Sequence, residues 1–257
     1  MRQLFILCGL SIAVVVAALL LPPLSQPVDY HQFADQRNFF GIPNFSNVVS
    51  NLAFLLSGGM GLVYLFHVCR MPVPKAFHNR MECLPYGVLF LSVMAAALGS
   101  MAYHWMPDNA TLLWDRLPIA VAITALLAAT LGERVNPIVG LWSLPILTGL
   151  GISSVSYWYL TEQHGAGNLN FYIVVQFYSI VLIILLSLYN PSRYTHAKHI
   201  YQVIALYSVA KSAELLDMQI YNLTNQFISG HTLKHLVAAL AVYWIVRILH
   251  KRVFLSE

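Results

Sequence analysis

An all-α, polytopic membrane helix bundle is the fold class that this sequence predicts, and three observations support it. Hydrophobic residues make up 58% of the 257 residues and charged residues only 9%, whereas soluble domains are about a quarter charged. The mean hydropathy is +0.67. Apolar runs of about 18 to 22 residues recur along the chain, and each can cross a bilayer as a helix. Runs without polar alternation exclude a membrane β-barrel.

Eight apolar spans are predicted, separated by the turn-forming clusters PPLSQP, MPVPK, MPDN, GERVNP, HGAGN and NPSRY. Residues 1–22 are expected to be a retained N-terminal transmembrane helix or signal anchor, with a cleaved secretory signal as the alternative. Residues 23–257 would then form a seven-helix core domain. The predicted spans are 4–21, 46–68, 84–104, 113–131, 137–160, 169–189, 199–221 and 230–249.

The basic residues predict how the bundle is oriented. By the positive-inside rule, both termini are expected in the cytoplasm, in the inner membrane if the cell is bacterial. The loops near 23–45, 105–112, 161–168 and 222–229 would face outward, towards the periplasm or a lumen. Basic residues are scattered rather than clustered, which argues against nucleic acid as a partner. Ten of the fourteen fall on the predicted cytoplasmic side: Arg2, Arg70, Lys75, Arg80, Arg134, Arg193, Lys198, Arg247, Lys251 and Arg252.

Five polar residues within the spans form the candidate site. Ionisable side chains in a membrane are costly, so each one is a functional candidate. Ser100 and His104 lie four residues apart near the outer end of the third span, and His231 and His235 have the same spacing at the outer end of the eighth. Asp115 lies at the outer end of the fourth span. The topology therefore places all five side chains at one depth.

This set of residues predicts a zinc site. Three imidazoles suit zinc, which in catalytic sites takes three protein ligands and keeps a fourth position for water. We therefore interpret His104, His231 and His235 as metal ligands, Asp115 as a general acid and base, and Ser100 as a group that orients water or an oxyanion. Simpler interpretations exist for each residue taken alone. Interfacial histidines can bind headgroups, Ser100 can be a packing residue, and Asp115 can pair with Arg116 or cap its helix.

Other polar residues in the spans are expected to have structural roles. Lys211 and Glu214 have the spacing of an internal ion pair, and Lys234 is expected to point away from the two histidines, where it can pair with Glu214 or Asp217. Aromatic residues near span ends are interpreted as interfacial anchors: Tyr103, Trp105, Trp114 and Trp158. The cysteines are interpreted as core thiols without a role: Cys8, Cys69 and Cys83.

Three segments resemble the alkaline ceramidase family, which belongs to a wider group with the progestin and adiponectin receptors and the Per1 proteins. These are GSMAYHWMPDNATLLWDRLP (99–118), SGHTLKHL (229–236) and NVVSNLAF (47–54), and the resemblance covers about residues 30–249. It implies that His104, His231 and His235 bind zinc, that Asp115 is the general acid and base, and that Ser100 assists. The reaction implied is hydrolysis of the amide bond of ceramide to a sphingoid base and a fatty acid.

The resemblance also shows two departures. Animal members carry a calcium site before the first core helix, but the corresponding stretch here keeps Asp35 and adds Arg37. A basic residue among oxygen ligands disfavours a divalent cation, so calcium binding is not expected. The short loops and the added first helix resemble the bacterial branch, whose natural lipids need not be ceramides. Two alternatives to an amidase are a membrane receptor or transporter with structural zinc, and a hydrolase of another lipid bond.

Overall fold

The computed structural model describes the backbone of residues 2–70 and 76–255 and the side chains of residues 9–70 and 76–255. The turn cluster MPVPK with Lys75, and the side chain of Cys8, lie outside the described residues. Across the described ranges the chain is a helical bundle without β-strands, which confirms the all-α fold class. The helices are α1 (Arg2–Leu20), α2 (Phe45–Val49), α3 (Leu52–Val68), α4 (Cys83–Trp105), α5 (Asn109–Arg134), α6 (Pro137–Gln163), α7 (Asn170–Ile173), α8 (Ser179–Tyr189), α9 (Ile200–Leu215), α10 (Asp217–Leu223) and α11 (Gly230–Lys251).

Six helical stretches are long and apolar enough to cross a membrane, as is typical of a multi-pass membrane protein. They match predicted spans two to six and span eight. The first predicted span corresponds to α1, where Ser11 Oγ lies 2.8 Å from the hydroxyl of Tyr178. The six stretches within the described residues are Phe45–Val68, Arg80–Trp105, Asn109–Arg134, Pro137–Gln163, Asn170–Tyr189 and Gly230–Lys251.

The seventh predicted span is not one continuous helix, so that expectation is wrong. Helix α9 ends at Leu215 and α10 begins at Asp217. The start of α11 packs directly on this interruption: a Cβ added to Gly230 would overlap the carbonyl oxygen of Ala213 and approach the Cα of Asp217 to 2.7 Å. The interruption therefore brings the Asp217 side chain to the beginning of α11.

Helix α5 lies at the centre of the bundle. Of its membrane-spanning window 61% is buried, against 22% for the neighbouring α6. Helices α4 and α5 cross in very close contact at Gly99, where an added Cβ would overlap the backbone carbonyl of Trp114. Because glycine has no side chain, it lets two helices approach to backbone contact.

Basic side chains are gathered at the end of the bundle opposite to Asp115. Arg193 donates to the carbonyl oxygen of Gly132 at 2.7 Å, and Arg252 forms an ion pair with Glu133. A disulfide between Cys69 and Cys83 lies at this same end, so interpreting these cysteines as free thiols is wrong. The positive-inside rule assigns this end to the cytoplasm, whereas disulfides persist mainly in oxidising compartments. The orientation of the bundle stays a prediction.

The aromatic residues predicted as interfacial anchors divide into two pairs. Trp105 and Trp114 are 47% and 61% exposed, as expected for side chains at a membrane interface. Trp158 and Tyr103 are instead 0% and 1% exposed, so the prediction was wrong for them. Both belong to a buried hydrophobic cluster that also contains Phe33 and Leu112.

Candidate metal centre

Three histidines from two helices meet in the interior of the bundle. His104 comes from the last turn of α4, and His231 and His235 come from the first two turns of α11. All three are buried, and one ring nitrogen from each lies within 4.8 Å of the other two. The Nε2 atoms of His104 and His231 are 3.2 Å apart. The structure therefore brings the predicted histidines together in a group that can hold a metal ion.

The start of α11 is fixed by two side-chain caps, and this positions His231. Ser229 is the N-cap residue, and its Oγ accepts from the backbone N–H of Thr232 at 3.0 Å. The N–H of His231 donates to Asp217 Oδ1 at 2.7 Å, while Asp217 Oδ2 accepts from the N–H of Ala34 at 2.9 Å. Free N–H groups of a first turn need such acceptors, and a carboxylate is favoured there. Asp217 thus joins α10, α11 and the loop before α2.

His235 is held by a hydrogen bond to the α2–α3 connection. Its Nδ1 lies 2.8 Å from Ser50 Oγ, and the Ser50 hydroxyl donates to the carbonyl oxygen of Asn47 at 3.1 Å. Because the hydroxyl proton is used in that bond, Oγ accepts from an N–H at Nδ1. The Nε2 of His235 then carries the free lone pair. Metal-binding histidines commonly have this arrangement, in which the second ring nitrogen donates to a neighbouring oxygen.

The donor set fits a tetrahedral metal ion by two further observations. Nε2 of His235, the nitrogen with the free lone pair, is buried without a hydrogen-bond partner, whereas buried polar atoms are normally paired. Ligands about 2.05 Å from a tetrahedral zinc ion would be roughly 3.3 Å apart, close to the 3.2 Å between Nε2 of His104 and Nε2 of His231. Neutral imidazoles suit zinc, copper, iron and nickel alike, so the geometry alone does not select one metal.

Lys234 is part of this centre, and the expectation that it points away from the histidines is wrong. Its Nζ lies 2.8 Å from Nε2 of His231 and 3.0 Å from Glu214 Oε1. Glu214 also pairs with Lys211, as the sequence predicted. Because Nε2 has a single lone pair, Lys234 and a metal ion compete for it. Its ion pair with Glu214 gives the ammonium group an alternative partner when an ion binds.

The loop between α1 and α2 covers the histidines. Phe33, which is 5% exposed, packs its ring edge-on against His104 and His231, with centroid distances of 4.6 and 5.0 Å. Further along the loop, both carboxylate oxygens of Asp35 accept from the Arg37 guanidinium, at 2.8 and 2.7 Å. Arg37 therefore engages the oxygens that a calcium ion would need, which is the physical basis for not expecting calcium here.

Ser100 and Asp115 form a second polar pair, and each is buried. Both line the same cavity, and they lie on the two helices, α4 and α5, that are in close contact at Gly99. Asp115 does not cap its helix, because Asp108 is the N-cap residue and forms a capping box with Thr111. Within the described residues, Asp115 forms no ion pair with Arg116 at 4.0 Å or less. The two simpler interpretations of Asp115 are therefore not supported.

A cavity of about 330 Å³ begins at these polar groups and continues between the helices. Ser100, Asp115 and His235 line its polar end. The charged side chains of Arg116, Lys211, Glu214 and Lys234 also line it, and most of the remaining wall is formed by apolar side chains of α4, α5, α8, α9 and α11. Along α11 it reaches Ile245, ten residues or about 15 Å past His235. The cavity thus has one end suited to polar chemistry and a body suited to an alkyl chain.

Several residues of the site were not predicted as site residues. Ser50 supports His235, Asp217 supports His231, and Gln176 lines the cavity from a short π-helical segment, Val174–Tyr178. Segments of π-helix are frequent at functional sites. The signal for Ser50 was the polar run Asn47, Ser50 and Asn51 at one face of an apolar span, and for Gln176 it was an amide inside such a span.

Comparison with known proteins does not assign this chain to a family. No protein-family model matches it, and no curated protein matches it significantly. The resemblance to alkaline ceramidases therefore rests on the three quoted segments, and the activity it implies stays a prediction.

Proposed function

We propose that this protein is a zinc-dependent membrane amidase that hydrolyses the N-acyl bond of ceramide-like lipids to a sphingoid base and a fatty acid. The observation that carries the proposal is that His235 of the three-histidine group lines the same largely apolar cavity as Ser100 and Asp115. A lipid amide would lie at the polar end while its acyl chain fills the apolar body. Apolar pockets with a few convergent polar groups are the usual form of a small-molecule site.

The residues of the site have complementary roles in this proposal. His104, His231 and His235 would hold the ion, which when bound would polarise the amide carbonyl and activate water. Asp115 would accept a proton from the attacking water and deliver it to the leaving nitrogen, since an amide nitrogen must be protonated to depart as an amine. Ser100, which lines the same cavity as Asp115, would orient the water or stabilise the developing oxyanion. Phe33 excludes bulk water from the histidines.

The proposal includes a location for the reaction. The site lies at the end of the bundle opposite to the basic residues, so the positive-inside rule assigns it to the outer, periplasmic or lumenal side, with both termini in the cytoplasm. The substrate would reach the site from the lipid bilayer rather than from water, because the cavity lies among membrane-spanning helices.

A direct test combines metal content with hydrolysis by the purified full chain in detergent. We expect about one zinc ion per chain in the wild type and in His164→Ala, whose histidine is exposed, and much less in His231→Ala. Against a panel of ceramides, release of sphingoid base should fall at least about 100-fold in Asp115→Asn and after chelation. The matched control Asp29→Asn, at an exposed loop position, should retain full activity.

Three results would overturn the proposal in different ways. Stoichiometric zinc without hydrolysis across a panel that includes amides and esters would favour a receptor or transporter that uses the ion structurally. Cleavage of esters but not amides would favour a hydrolase of another lipid bond. Amidase activity that survives in His231→Ala would remove the metal centre from the mechanism.

A further inference from the structure

Arg116, the residue after Asp115, is a buried cation that the proposed reaction does not use. It is 5% exposed, and its guanidinium lies over three aromatic rings, 4.3 Å from the centroid of Trp158, 4.8 Å from Tyr30 and 5.3 Å from Tyr172. The rings attract the cation through their negative faces. This surrounding accounts for the burial of Trp158 in place of a position at the membrane interface.

The hydrogen-bonding capacity of Arg116 is not filled. Its guanidinium contacts the ring of Tyr30, but Nη1 is buried without a hydrogen-bond partner. No carboxylate among the described residues lies within 4.0 Å of the guanidinium as an ion-pair partner. A buried charge is costly unless it is paired, and because Arg116 lines the cavity, an anionic group bound there would supply the pairing that the guanidinium lacks.

The carboxylates that line the cavity do not pair with Arg116. Among the described residues that line the cavity, three are cationic and two are carboxylates. Glu214 is engaged by Lys211 and Lys234. Asp115 is the proposed proton carrier and, within the described residues, forms no ion pair with Arg116 at 4.0 Å or less. Arg116 is therefore the cation without a counterpart, and it lines the same polar end as the carboxylate that would act on the amide.

We propose that Arg116 binds an anionic group, a carboxylate or a phosphate, on the amine-derived part of the substrate. This rests on the proposed amidase function and specifies its substrate class as acidic N-acyl lipids. A guanidinium is suited to this role because its planar array of N–H donors matches the oxygens of carboxylate and phosphate. Because Arg116 directly follows Asp115, the anionic group would lie close to the amide bond that is cleaved.

Two matched pairs of lipids test the proposal and separate the two sources of charge. N-palmitoylglycine and N-palmitoylethanolamine share the acyl amide and differ by a carboxylate against a hydroxyl group. Ceramide 1-phosphate and ceramide differ by a phosphate. With purified wild-type protein, we expect kcat/KM to be at least about tenfold higher for the charged member of one pair. The pair that shows the preference identifies the group as a carboxylate or a phosphate.

Variants at Arg116 assign the preference to this side chain. Arg116→Gln should lower kcat/KM for the charged lipid about 10- to 100-fold, mainly through KM, and change the value for its neutral partner less than about threefold. Arg116→Lys should restore part of the loss. Arg247→Gln, which removes an exposed arginine of α11 outside the cavity lining, should leave both values unchanged.

The outcomes distinguish failure of this inference from failure of the proposed function. If Arg116→Gln lowers kcat/KM equally for both members of a pair, or if the wild type prefers the neutral lipids, Arg116 has only a packing role and the amidase proposal stands. If no lipid is hydrolysed, displacement of a fluorescent fatty-acid analogue by N-palmitoylglycine or ceramide 1-phosphate gives a second measurement. Displacement by either charged lipid that weakens at least tenfold in Arg116→Gln would keep the anion site and reject the amidase, whereas displacement unaffected by the variant would reject both.

Discussion

At the scale of single residues, the ligand set depends on hydrogen bonds that fix which ring nitrogen is free. The Ser50 hydroxyl donates to Asn47 and accepts from His235 Nδ1, so the lone pair of His235 is confined to Nε2. His231 is fixed through its backbone by Asp217 instead. The two histidines of α11 are thus held by oxygen atoms from two separate segments, α10 and the connection between α2 and α3.

Substitution of Ser50 is expected to weaken metal binding without unfolding the protein. In Ser50→Ala the imidazole of His235 loses the acceptor that fixes its orientation and tautomer, so zinc affinity should fall about 10- to 100-fold. Competition with a fluorescent chelator measures the affinity directly. Ser57→Ala is a matched control, since Ser57 is also buried in the same helical region but its hydroxyl donates to the backbone of Phe54. An equal loss of affinity in both variants would contradict the specific role of Ser50.

At the scale of the helices, the site depends on crossings that only small residues permit. Gly99 brings the backbone of α4 against Trp114 and so places Ser100 beside Asp115. Gly230 brings the start of α11 against the interruption between α9 and α10, which allows Asp217 to cap His231. Each glycine immediately precedes a residue of the proposed site, so helix packing and site geometry are determined together.

A methyl group at Gly99 is expected to separate α4 from α5. An added Cβ would overlap the Trp114 carbonyl, and relief of that overlap requires movement of backbone, which costs about 1–3 kcal/mol of stability. We expect Gly99→Ala to lower Tm and to abolish hydrolysis. Gly87→Ala in the same helix has no atom within 4 Å of the added Cβ, and alanine favours helices, so its Tm should equal or exceed that of the wild type. The same Tm for both variants would show that the crossing is loosely packed.

The sequence predicted the helices better than their interruptions and contacts. Long apolar runs determine spans because the bilayer requires internally hydrogen-bonded segments of fixed length. The pairs Ser100 with His104 and His231 with His235 were also readable, because residues four apart share a helical face. The interruption at Leu216 was not, since no proline or glycine marks it. The partners of Lys234 and Arg116 depend on long side chains meeting across helices, which linear spacing does not reveal.

At the scale of the whole molecule, the two ends of the bundle carry different polar groups. One end carries the histidines, Asp115 and the covering loop, and the other carries the paired arginines Arg193 and Arg252. The cavity begins at the first end and becomes apolar towards the second. An amphipathic ligand therefore has one favourable direction, with its polar group at the histidines and its chain along α5 and α11.

Filling the cavity part of the way along is expected to select shorter acyl chains. Ala241 lines the cavity six residues past His235, about 9 Å along α11, so the ring in Ala241→Phe would block the apolar body and leave the polar end free. Hydrolysis of N-acyl lipids with long chains should fall at least about tenfold relative to those with chains of six to eight carbons. Leu240→Phe adds an aromatic ring at the neighbouring position, which is 42% exposed and outside the cavity lining, so its chain-length profile should match the wild type. A uniform loss across all chain lengths in Ala241→Phe, with an unchanged Tm, would mean that the acyl chain does not occupy this cavity.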